Sequence, residues 1–475
     1  MVAVALLAAS PAAPASTLSP VVNLPRPSAG EWMGIYLLGR KAGYSFDRVS
    51  LEKRGGIPVV VAIDDTTLRA TLGGKDVSRH VREERTYDAR PHGRLVHFEA
   101  VHEGDGGNET LSGDCDRAGV HLVRRRAGQP DEKLELPPSA DVVENADLPR
   151  LAAARRADVS GVAFDGQSLR DKPQKVAYLG EGDLVAGGTR RRVARVSVTE
   201  DQGKLAADVA IDLRDGRTLQ LKFGGALLAV PEPEALAKKL DSVDLFALTR
   251  VPIAQQLPSG VVPETITYEI AGLPAAIRPA PERQTYEALP DGSVAVTVRA
   301  ERPSHALAAS SPPPEADLRA TPDIESDDPA IRALAKKITA GERDPFRRAT
   351  KISSWVYGHV RAAYGASSDR ATDVLRRREG DCTEHSLLAV ALARAAGVPA
   401  RLVHGLVYAQ GSDGIFGLYW HEWVEVWAGQ WLAIDPTFGQ EIADATHIEL
   451  GEGDQTDAVA LMGQLKISVL ERKPQ

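Results

Sequence analysis

The segment that most constrains the fold is a capped apolar stretch that starts at Cys382. Cys382 follows a Gly-Asp turn, and Gly397 and Pro399 stand where a helix would end. The apolar residues between them recur at helical spacing; they are Leu387, Leu388, Ala391, Leu392 and Ala395. The pattern predicts a helix with Cys382 in its first turn, where unpaired N–H groups and the helix dipole favour a thiolate. The alternative is that Cys382 is a small apolar residue at the start of a core helix.

Three strand-like segments follow this helix. They are Arg401–Tyr408, His421–Trp427 and Trp431–Asp435, with Pro436 ending the last one. The short connection 428–430 joins the second and third segments as a hairpin. The sequence therefore predicts a helix packed beside an antiparallel sheet.

The hairpin register brings a histidine and an aspartate together. With a three-residue loop, Trp427 faces Trp431, and His421 becomes a diagonal neighbour of Asp435 on the same face, about 7–8 Å away by backbone. The two side chains span that gap. A two-residue loop would instead put them on opposite faces. A thiol at a helix start, with a histidine oriented by an aspartate, has the arrangement used in thiol catalysis.

Four separated motifs then resemble a known family. They read Gly-Asp-Cys-Thr-Glu-His, Arg-Ala-Ala-Gly-Val-Pro-Ala-Arg, His-Glu-Trp-Val-Glu-Val-Trp and Trp-Leu-Ala-Ile-Asp-Pro-Thr. In type, order and spacing they are similar to the bacterial transglutaminase-like superfamily, over about residues 325–470. The resemblance implies a papain-like core in which Cys382 is the nucleophile, His421 the base and Asp435 the group that orients the base.

The resemblance also implies a reaction, acyl transfer on protein or peptide amides through a Cys382 thioester. Transamidation, deamidation and hydrolysis all remain open as outcomes. One alternative is a cysteine peptidase that cuts peptide or isopeptide bonds, and another is a non-catalytic binding or scaffold protein that uses its β-rich region. No metal or organic cofactor is needed. A zinc site drawn from Cys382, His385, His404 and His421 has one thiol and irregular spacing, which disfavours it.

The remainder of the chain is predicted to be rich in β-strands. The expected fold class is α+β, with the helix that bears Cys382 packed on an antiparallel sheet and a large antiparallel β-rich region before it. The predicted parts are β-rich halves at 30–150 and 173–302, a Pro-rich linker at 303–323 and a catalytic domain at 324–475. The two halves are alternatively one long curved sheet. A single helix is predicted from Pro233 to Leu248.

Composition restricts the class of protein. The chain has 475 residues, 43% hydrophobic and 26% charged, with a net charge of −8. This length predicts two or three domains, and the negative charge argues against a dedicated nucleic-acid binder. No apolar run approaches the roughly 20 residues that a membrane span needs. A protein or peptide substrate is the expected partner.

The N-terminus resembles a secretory signal peptide. Val2–Ala9 is apolar and Ala13–Ala15 offers an A-x-A cleavage site, although a basic first region is lacking. Residues 1–15 therefore favour export to the periplasm or cell envelope, and the alternative is an Ala/Pro tail without a targeting role. Cys115 and Cys382 are not expected to form a disulfide, because it would remove the proposed nucleophile.

Overall fold

The computed structural model describes residues 18–474 except 73, 105–106, 201–205, 258–262, 280–281, 304–314, 364–369, 412 and 454–455. The signal-like segment 1–15 and part of the linker 303–323 lie outside the described residues, so export and the linker stay predictions. None of the described helices has the length and apolar character needed to cross a membrane.

Fourteen antiparallel strands form one long sheet. They are β1 (Glu31–Leu37), β2 (Arg40–Arg54), β3 (Ile57–Leu72), β4 (Lys75–Asp88), β5 (Leu95–Gly104), β6 (Glu109–Cys115), β7 (Val120–Arg126), β8 (Glu132–Leu136), β9 (Val159–Asp165), β10 (Arg170–Ala186), β11 (Thr189–Glu200), β12 (Ala207–Asp212), β13 (Thr218–Phe223) and β14 (Leu227–Pro231). The strand order runs from β8 back to β1, then from β14 back to β9. Each strand therefore pairs with its neighbour in sequence, except at the junction of β1 with β14.

This long sheet curls until its edge at β9 reaches its other half. Helix α1 (Leu148–Arg155) lies in the connection between the two edge strands, β8 and β9. The ring of Phe164 on β9 meets the ring of Phe98 on β5 edge-on, with centroids 5.0 Å apart. Arg85 on β4 also donates to the Phe164 carbonyl at 3.1 Å. Strands this distant in the sheet order touch only because twisted sheets curl when they become wide.

The remaining elements build the C-terminal body. The helices are α2 (Glu234–Ala237), α3 (Leu245–Thr249), α4 (Pro329–Ile338), α5 (Pro345–His359), α6 (Ala371–Arg377), α7 (Cys382–Ala395) and α8 (Thr456–Leu461). The strands are β15 (Pro263–Ala271), β16 (Gln284–Ala288), β17 (Val294–Arg299), β18 (Arg361–Ala362), β19 (Glu379–Gly380), β20 (Ala400–Gln410), β21 (Phe416–Trp427), β22 (Trp431–Ile434), β23 (Ile448–Glu452) and β24 (Lys466–Pro474). Two four-stranded sheets result, in the orders β16-β17-β15-β24 and β22-β21-β20-β23. Short 3-10 turns lie at Pro20–Asn23, Val143–Asp147 and Glu315–Leu318.

The strand pairing differs from the predicted division in two respects. Strands β1 to β14 form one continuous sheet, which is the stated alternative to two halves divided at 150–173. Strand β15, which lies in the region assigned from sequence to the second half, instead pairs with β24 at the end of the described chain, and β17 and β16 follow on its other side. Side-chain alternation predicts a strand but not its partner, so this long-range pairing was not available from local pattern.

The predicted helix from Pro233 to Leu248 is broken into α2 and α3. The segment between them binds the long sheet: the side chain of Asp241 accepts from the Lys41 N–H at 2.9 Å. The Val243 carbonyl accepts from the Thr71 N–H at 2.6 Å. These sheet contacts replace the helical hydrogen bonds that the spacing suggested.

Helix α7 lies at the centre of the C-terminal body. It packs on β20 and β21 and is covered by α4, α5 and α6. All its residues from Glu384 to Arg394 are buried, so the helix is enclosed on every side rather than on the one face that the spacing suggested. The predicted end is confirmed: Gly397 has φ +77°, and the Val398 N–H donates to the Ala393 carbonyl at 2.9 Å.

The long sheet is connected to the C-terminal body at two places. Arg126 on β7 lies 3.4 Å from Asp373 on α6. At β21, the Trp420 indole donates to the carbonyl of Thr249 on α3 at 3.2 Å, and α3 in turn packs on β3 of the long sheet. The long sheet therefore touches the helix that precedes Cys382 directly, and it reaches the strand that carries His421 through α3.

The pairing of β15 with β24 predicts where the chain can be divided. A fragment of residues 324–475 lacks β15 and with it the fully buried side chains of Ile266, Tyr268 and Ile270. We expect this fragment to show no cooperative thermal transition by circular dichroism, because β24 loses its partner and its core. A fragment of residues 245–475 should melt cooperatively. Equal melting of the two fragments would contradict the importance of this pairing.

Candidate active site

Cys382 begins α7, and a capping box fixes the start of the helix. The Asp381 side chain accepts from the Thr383 N–H at 3.0 Å, and the Glu384 side chain accepts from the Asp381 N–H at 2.8 Å. The sequence Asp-Cys-Thr-Glu thus caps its own helix. Cys382 is partly exposed and carries a free thiol, whereas Cys115 is a buried free thiol in the long sheet.

The strand that carries His421 is joined to this first turn. The backbone of Glu422 forms a hydrogen bond with Cys382, and its carbonyl accepts from Ser386 Oγ at 3.1 Å. β22 pairs with β21 only from Val424 onward, so the edge of β21 at Glu422 is open to the helix. The structure therefore brings Cys382 against the residue that follows His421.

His421 and Asp435 are in direct contact. Nε2 of His421 lies 2.8 Å from Oδ2 of Asp435, and both side chains are buried. Trp427 pairs with Trp431 across the three-residue loop, which is the register expected from sequence. The predicted proximity of His421 and Asp435 is confirmed, and their catalytic roles stay a prediction.

Asp435 is held by four hydrogen-bond donors. Its Oδ2 accepts hydrogen bonds from Nε2 of His421 at 2.8 Å and from Nε2 of His447 at 3.1 Å. Its Oδ1 accepts from the N–H groups of Thr437 at 2.7 Å and Phe438 at 3.0 Å. Burial alone would raise the pKa of Asp435, but the two imidazoles hold that pKa well below its usual range. The carboxylate is therefore ionised and only accepts, so both nitrogens that face it carry protons. Nδ1 is the ring nitrogen of His421 that is not committed to Asp435.

Two aromatic rings enclose the His421 imidazole. Phe438 stacks on it with centroids 4.8 Å apart and an interplanar angle of 11°. Trp423 lies nearly parallel to it at 6.1 Å. Phe438 remains 43% exposed, so it forms part of the outer wall of the site while it shields the His421–Asp435 hydrogen bond from water.

Sequence reasoning missed His447 and its second partner, Asp444. The pattern predicts a strand over Ala445–Leu450, but β23 begins at Ile448. Before it, Asp444 accepts from the Thr446 N–H at 2.8 Å in a turn that directs His447 toward Asp435. The sequence signal for this turn was Asp444-Ala-Thr446, because an Asp side chain often accepts from the backbone N–H two residues later in such turns.

The electrostatic environment of Cys382 contradicts the expectation of a thiolate favoured at rest. Burial raises the pKa of the Cys382 thiol, and the carboxylates of Asp381 and Glu422 raise it further. The hydrogen bond from the Glu422 backbone lowers it only in part. The direction is opposite to the one expected at a helix N-terminus, because burial and the neighbouring carboxylates, the capping residue Asp381 among them, outweigh the effect of the helix dipole on the pKa of the thiol.

His421, Asp435 and His447 also have the spacing of a metal-binding group. Their donor atoms all lie within 4.8 Å of one another. Both imidazoles nevertheless direct Nε2 at the same carboxylate oxygen, at 2.8 Å and 3.1 Å, so hydrogen bonds account for the arrangement. His385, from the zinc set drawn on sequence, contacts two backbone carbonyls instead, at 2.6 Å and 3.1 Å.

Comparison with known families matches the segment that carries these residues. The model of the transglutaminase-like superfamily matches residues 332–436, from α4 to the end of β22. This segment is a transglutaminase-like core. The expected α+β fold class is confirmed, with the core preceded by the large antiparallel sheet. The match includes Cys382, His421 and Asp435, and His447 lies beyond it.

Two curated relatives match part of this chain. This chain is 35% identical over 147 residues to an uncharacterised protein of Mycobacterium bovis, covering 28% of this chain and 46% of the relative. It is 27% identical over 140 residues to an uncharacterised protein of Mycobacterium leprae, covering 28% and 49%. The chain thus spans about half the length of the curated relatives it matches.

Solved structures are similar only loosely. A candidate cysteine protease from Cytophaga hutchinsonii is 18% identical, covering 45% of this chain and 86% of its own, with a TM-score of 0.28. A β-barrel-like protein from Brucella abortus is 11% identical, covering 43% and 98%, with a TM-score of 0.29. Superpositions this loose carry no inference about the transglutaminase-like core.

Asp435→Asn tests the ionised carboxylate of the core. Removing one member of a buried charged pair costs about 3–5 kcal/mol, because its partner is left uncompensated. Since the folded pKa of Asp435 lies below the unfolded value, its stabilisation is fully present above about pH 4 and is lost as pH falls further. Denaturant titrations should therefore show a larger difference in the free energy of unfolding between wild type and variant at pH 7 than at pH 3.

The control for this prediction is Asp116→Asn. Asp116 also has a lowered pKa, from the backbone N–H groups of Ala118 and Gly119, but it lies at the surface of the long sheet. We expect its replacement to change stability far less. If the loss of unfolding free energy in Asp435→Asn is as large at pH 3 as at pH 7, Asp435 is not an ionised carboxylate held by two imidazoles.

Glu422→Gln tests the charge beside Cys382. Gln keeps the backbone bonds of residue 422 and removes one carboxylate that raises the pKa of the thiol. Alkylation of Cys382 by iodoacetamide, followed by mass spectrometry across pH, should therefore move to lower pH in the variant. Cys115 is the internal reference, because burial raises its pKa to about 12. An unmoved curve would show that Glu422 does not control the thiol.

Proposed function

We propose that this protein attacks carboxamide or peptide carbonyls through Cys382, with His421 as the base and Asp435 as the group that orients it. The observation that carries the proposal is the buried 2.8 Å contact between His421 and Asp435, on a strand that is hydrogen-bonded to Cys382 at the next residue. The match to the transglutaminase-like superfamily over the same residues supports it.

The first half of the proposed reaction forms a thioester. Nδ1 of neutral His421 takes the thiol proton while Sγ of Cys382 bonds to the carbonyl carbon. The C–N bond then breaks, and the imidazolium returns the proton to the leaving amine or ammonia. A resting thiol with a raised pKa suits this order, because the proton moves only when the carbonyl is in place.

Oxyanion stabilisation falls to the start of α7. Asp381 occupies the Thr383 N–H, so the N–H of Cys382 itself is the first-turn donor that we assign to the developing oxyanion. The partial exposure of Cys382 supports access of a substrate to the thiol.

The second half of the reaction resolves the thioester. Water gives deamidation or peptide hydrolysis, and a primary amine gives transamidation. In either case His421 takes the proton of the attacking group and returns it to the sulfur. The three outcomes share one acyl-enzyme and differ only in the bond broken first and in the acceptor.

The test uses the full chain and a panel of glutamine-containing peptides, with and without a primary amine. Ammonia release indicates deamidation, incorporation of the amine indicates transamidation, and new amine termini indicate peptidase activity. We expect whichever activity is found to fall roughly 10³-fold or more in Cys382→Ala and in His421→Ala.

Cys115→Ala is the matched control, because it removes the other thiol of the chain and should leave activity unchanged. Absence of all three activities, together with alkylation of Cys382 that is unaffected by His421→Ala, would overturn the enzymatic proposal. A binding role for the β-rich region would then take its place.

A further inference from the structure

His447 lies between two carboxylates in the interior of the C-terminal body. Its side chain is 0% exposed. Nε2 lies 3.1 Å from Oδ2 of Asp435, and Nδ1 lies 3.2 Å from Oδ1 of Asp444. An ionised carboxylate only accepts hydrogen bonds, so both contacts are satisfied when both ring nitrogens carry protons. That state is the imidazolium.

Asp444 is held by other donors besides His447. Its Oδ1 also accepts from the N–H of Thr446 at 2.8 Å and from its hydroxyl at 2.5 Å, and its Oδ2 accepts from Gln440 Nε2 at 3.0 Å. Burial would raise the pKa of Asp444, but His447 and Thr446 bring it well below its usual range. For His447 burial works in the opposite direction and lowers the pKa, and the two carboxylates outweigh it and raise the pKa.

In the part of the chain that the structure describes, the titratable groups in ring or ion-pair contact with His447 are Asp435, Asp444 and His421. The His421 ring is 5.9 Å away, centroid to centroid. The other rings are Trp423 at 5.2 Å and Phe438 at 6.4 Å, both uncharged. Asp435 and Asp444 are therefore the carboxylates in contact with a cation at His447 among the described residues, and the buried guanidinium of Arg283 donates to the Asp444 carbonyl at 2.6 Å.

The backbone beside His447 shows why it reaches this position. Gly405 on β20 pairs with His421, and a Cβ at Gly405 would lie 2.0 Å from the carbonyl oxygen of Ile448. Only glycine lets β23 approach β20 this closely. His447, the residue before Ile448, is thereby set against the same carboxylate as His421.

We propose that His447 is a buried imidazolium that positions the Asp435 carboxylate for His421, with Asp444 as its counter-ion. It is a positioning residue, because it acts on the reaction only through Asp435. Its role in catalysis rests on the proposed function, whereas its protonation state does not. It also compensates one negative charge beside His421.

The first test measures protonation without any substrate. In full-length protein labelled with ¹⁵N-histidine, the ring nitrogens of His447, assigned by their loss in His447→Gln, should keep both protons to higher pH than an unperturbed imidazole with a pKa of about 6.5. In Asp444→Asn the second proton should leave at lower pH, because one counter-ion is gone. An ordinary titration near pH 6.5 in wild type would overturn the proposal whatever the activity.

The second test measures the consequence for His421. With the peptide and acceptor that serve best in the activity assay, His447→Gln should lower kcat roughly 100-fold with KM little changed, because misplaced catalytic groups lose rate rather than binding. The acid limb of the kcat/KM profile should move to higher pH in His447→Gln, and less so in Asp444→Asn. A merely structural role would lower the amount of active enzyme without moving that limb.

The matched control is His97→Gln. His97 also contacts two carboxylates, Asp114 at 2.7 Å and Glu99 at 3.2 Å, but it lies at the surface of the long sheet. We expect wild-type kinetics and an unmoved pH profile for this variant.

The outcomes separate this inference from the proposed function. An imidazolium at His447 in an inactive wild type would support the charge assignment while the enzymatic proposal fails. Wild-type kcat and pH profile in His447→Gln would overturn the positioning role while the enzymatic proposal stands. If His447→Gln does not fold, Asp444→Asn supplies both readouts, because it leaves every group that touches Asp435 in place.

Discussion

The C-terminal body depends on keeping one ionised carboxylate, that of Asp435, buried away from solvent. A buried charge of this kind persists only when donors surround it, and an unsatisfied one costs several kcal/mol. The four donors come from β21, from the turn after β22 and from the turn before β23. The same hydrogen bonds therefore join three chain segments and orient the His421 ring. Stability and the alignment of the candidate active site are produced by one set of contacts.

The position of the thiol depends on a different constraint, the enclosure of α7. A helix buried on every side cannot shift along its axis without breaking contacts with all its neighbours. Its first turn is further fixed by the capping box and by the two bonds to Glu422. The long sheet contacts α6, just before Cys382, and it reaches β21, just before His421, through α3. A partner that displaced the long sheet would act on both elements at once, which gives the β-rich region a physical connection to the site.

The sequence predicted the local parts of this arrangement and missed the long-range ones. The helix start and end at Cys382 and Gly397 follow from caps, and the contact of His421 with Asp435 follows from strand alternation and loop length. Both are local rules, and both are confirmed in the structure. The pairing of β15 with β24 and the place of His447 depend on contacts between segments distant in sequence, about which local pattern carries no information. The catalytic roles of Cys382, His421 and Asp435 stay a prediction.

Part of the cause of the raised pKa of the Cys382 thiol lies in the motif that contains it. A helix N-terminus favours an anion, but in Asp-Cys-Thr-Glu the anions are already supplied by the capping carboxylates. A second negative charge on sulfur would add repulsion in a buried setting. The arrangement thus raises the pKa of the Cys382 thiol rather than favouring a preformed thiolate. In the proposed mechanism the substrate carbonyl disperses the charge of the sulfur as it forms, so the proton transfer and the attack on carbon belong to the same step.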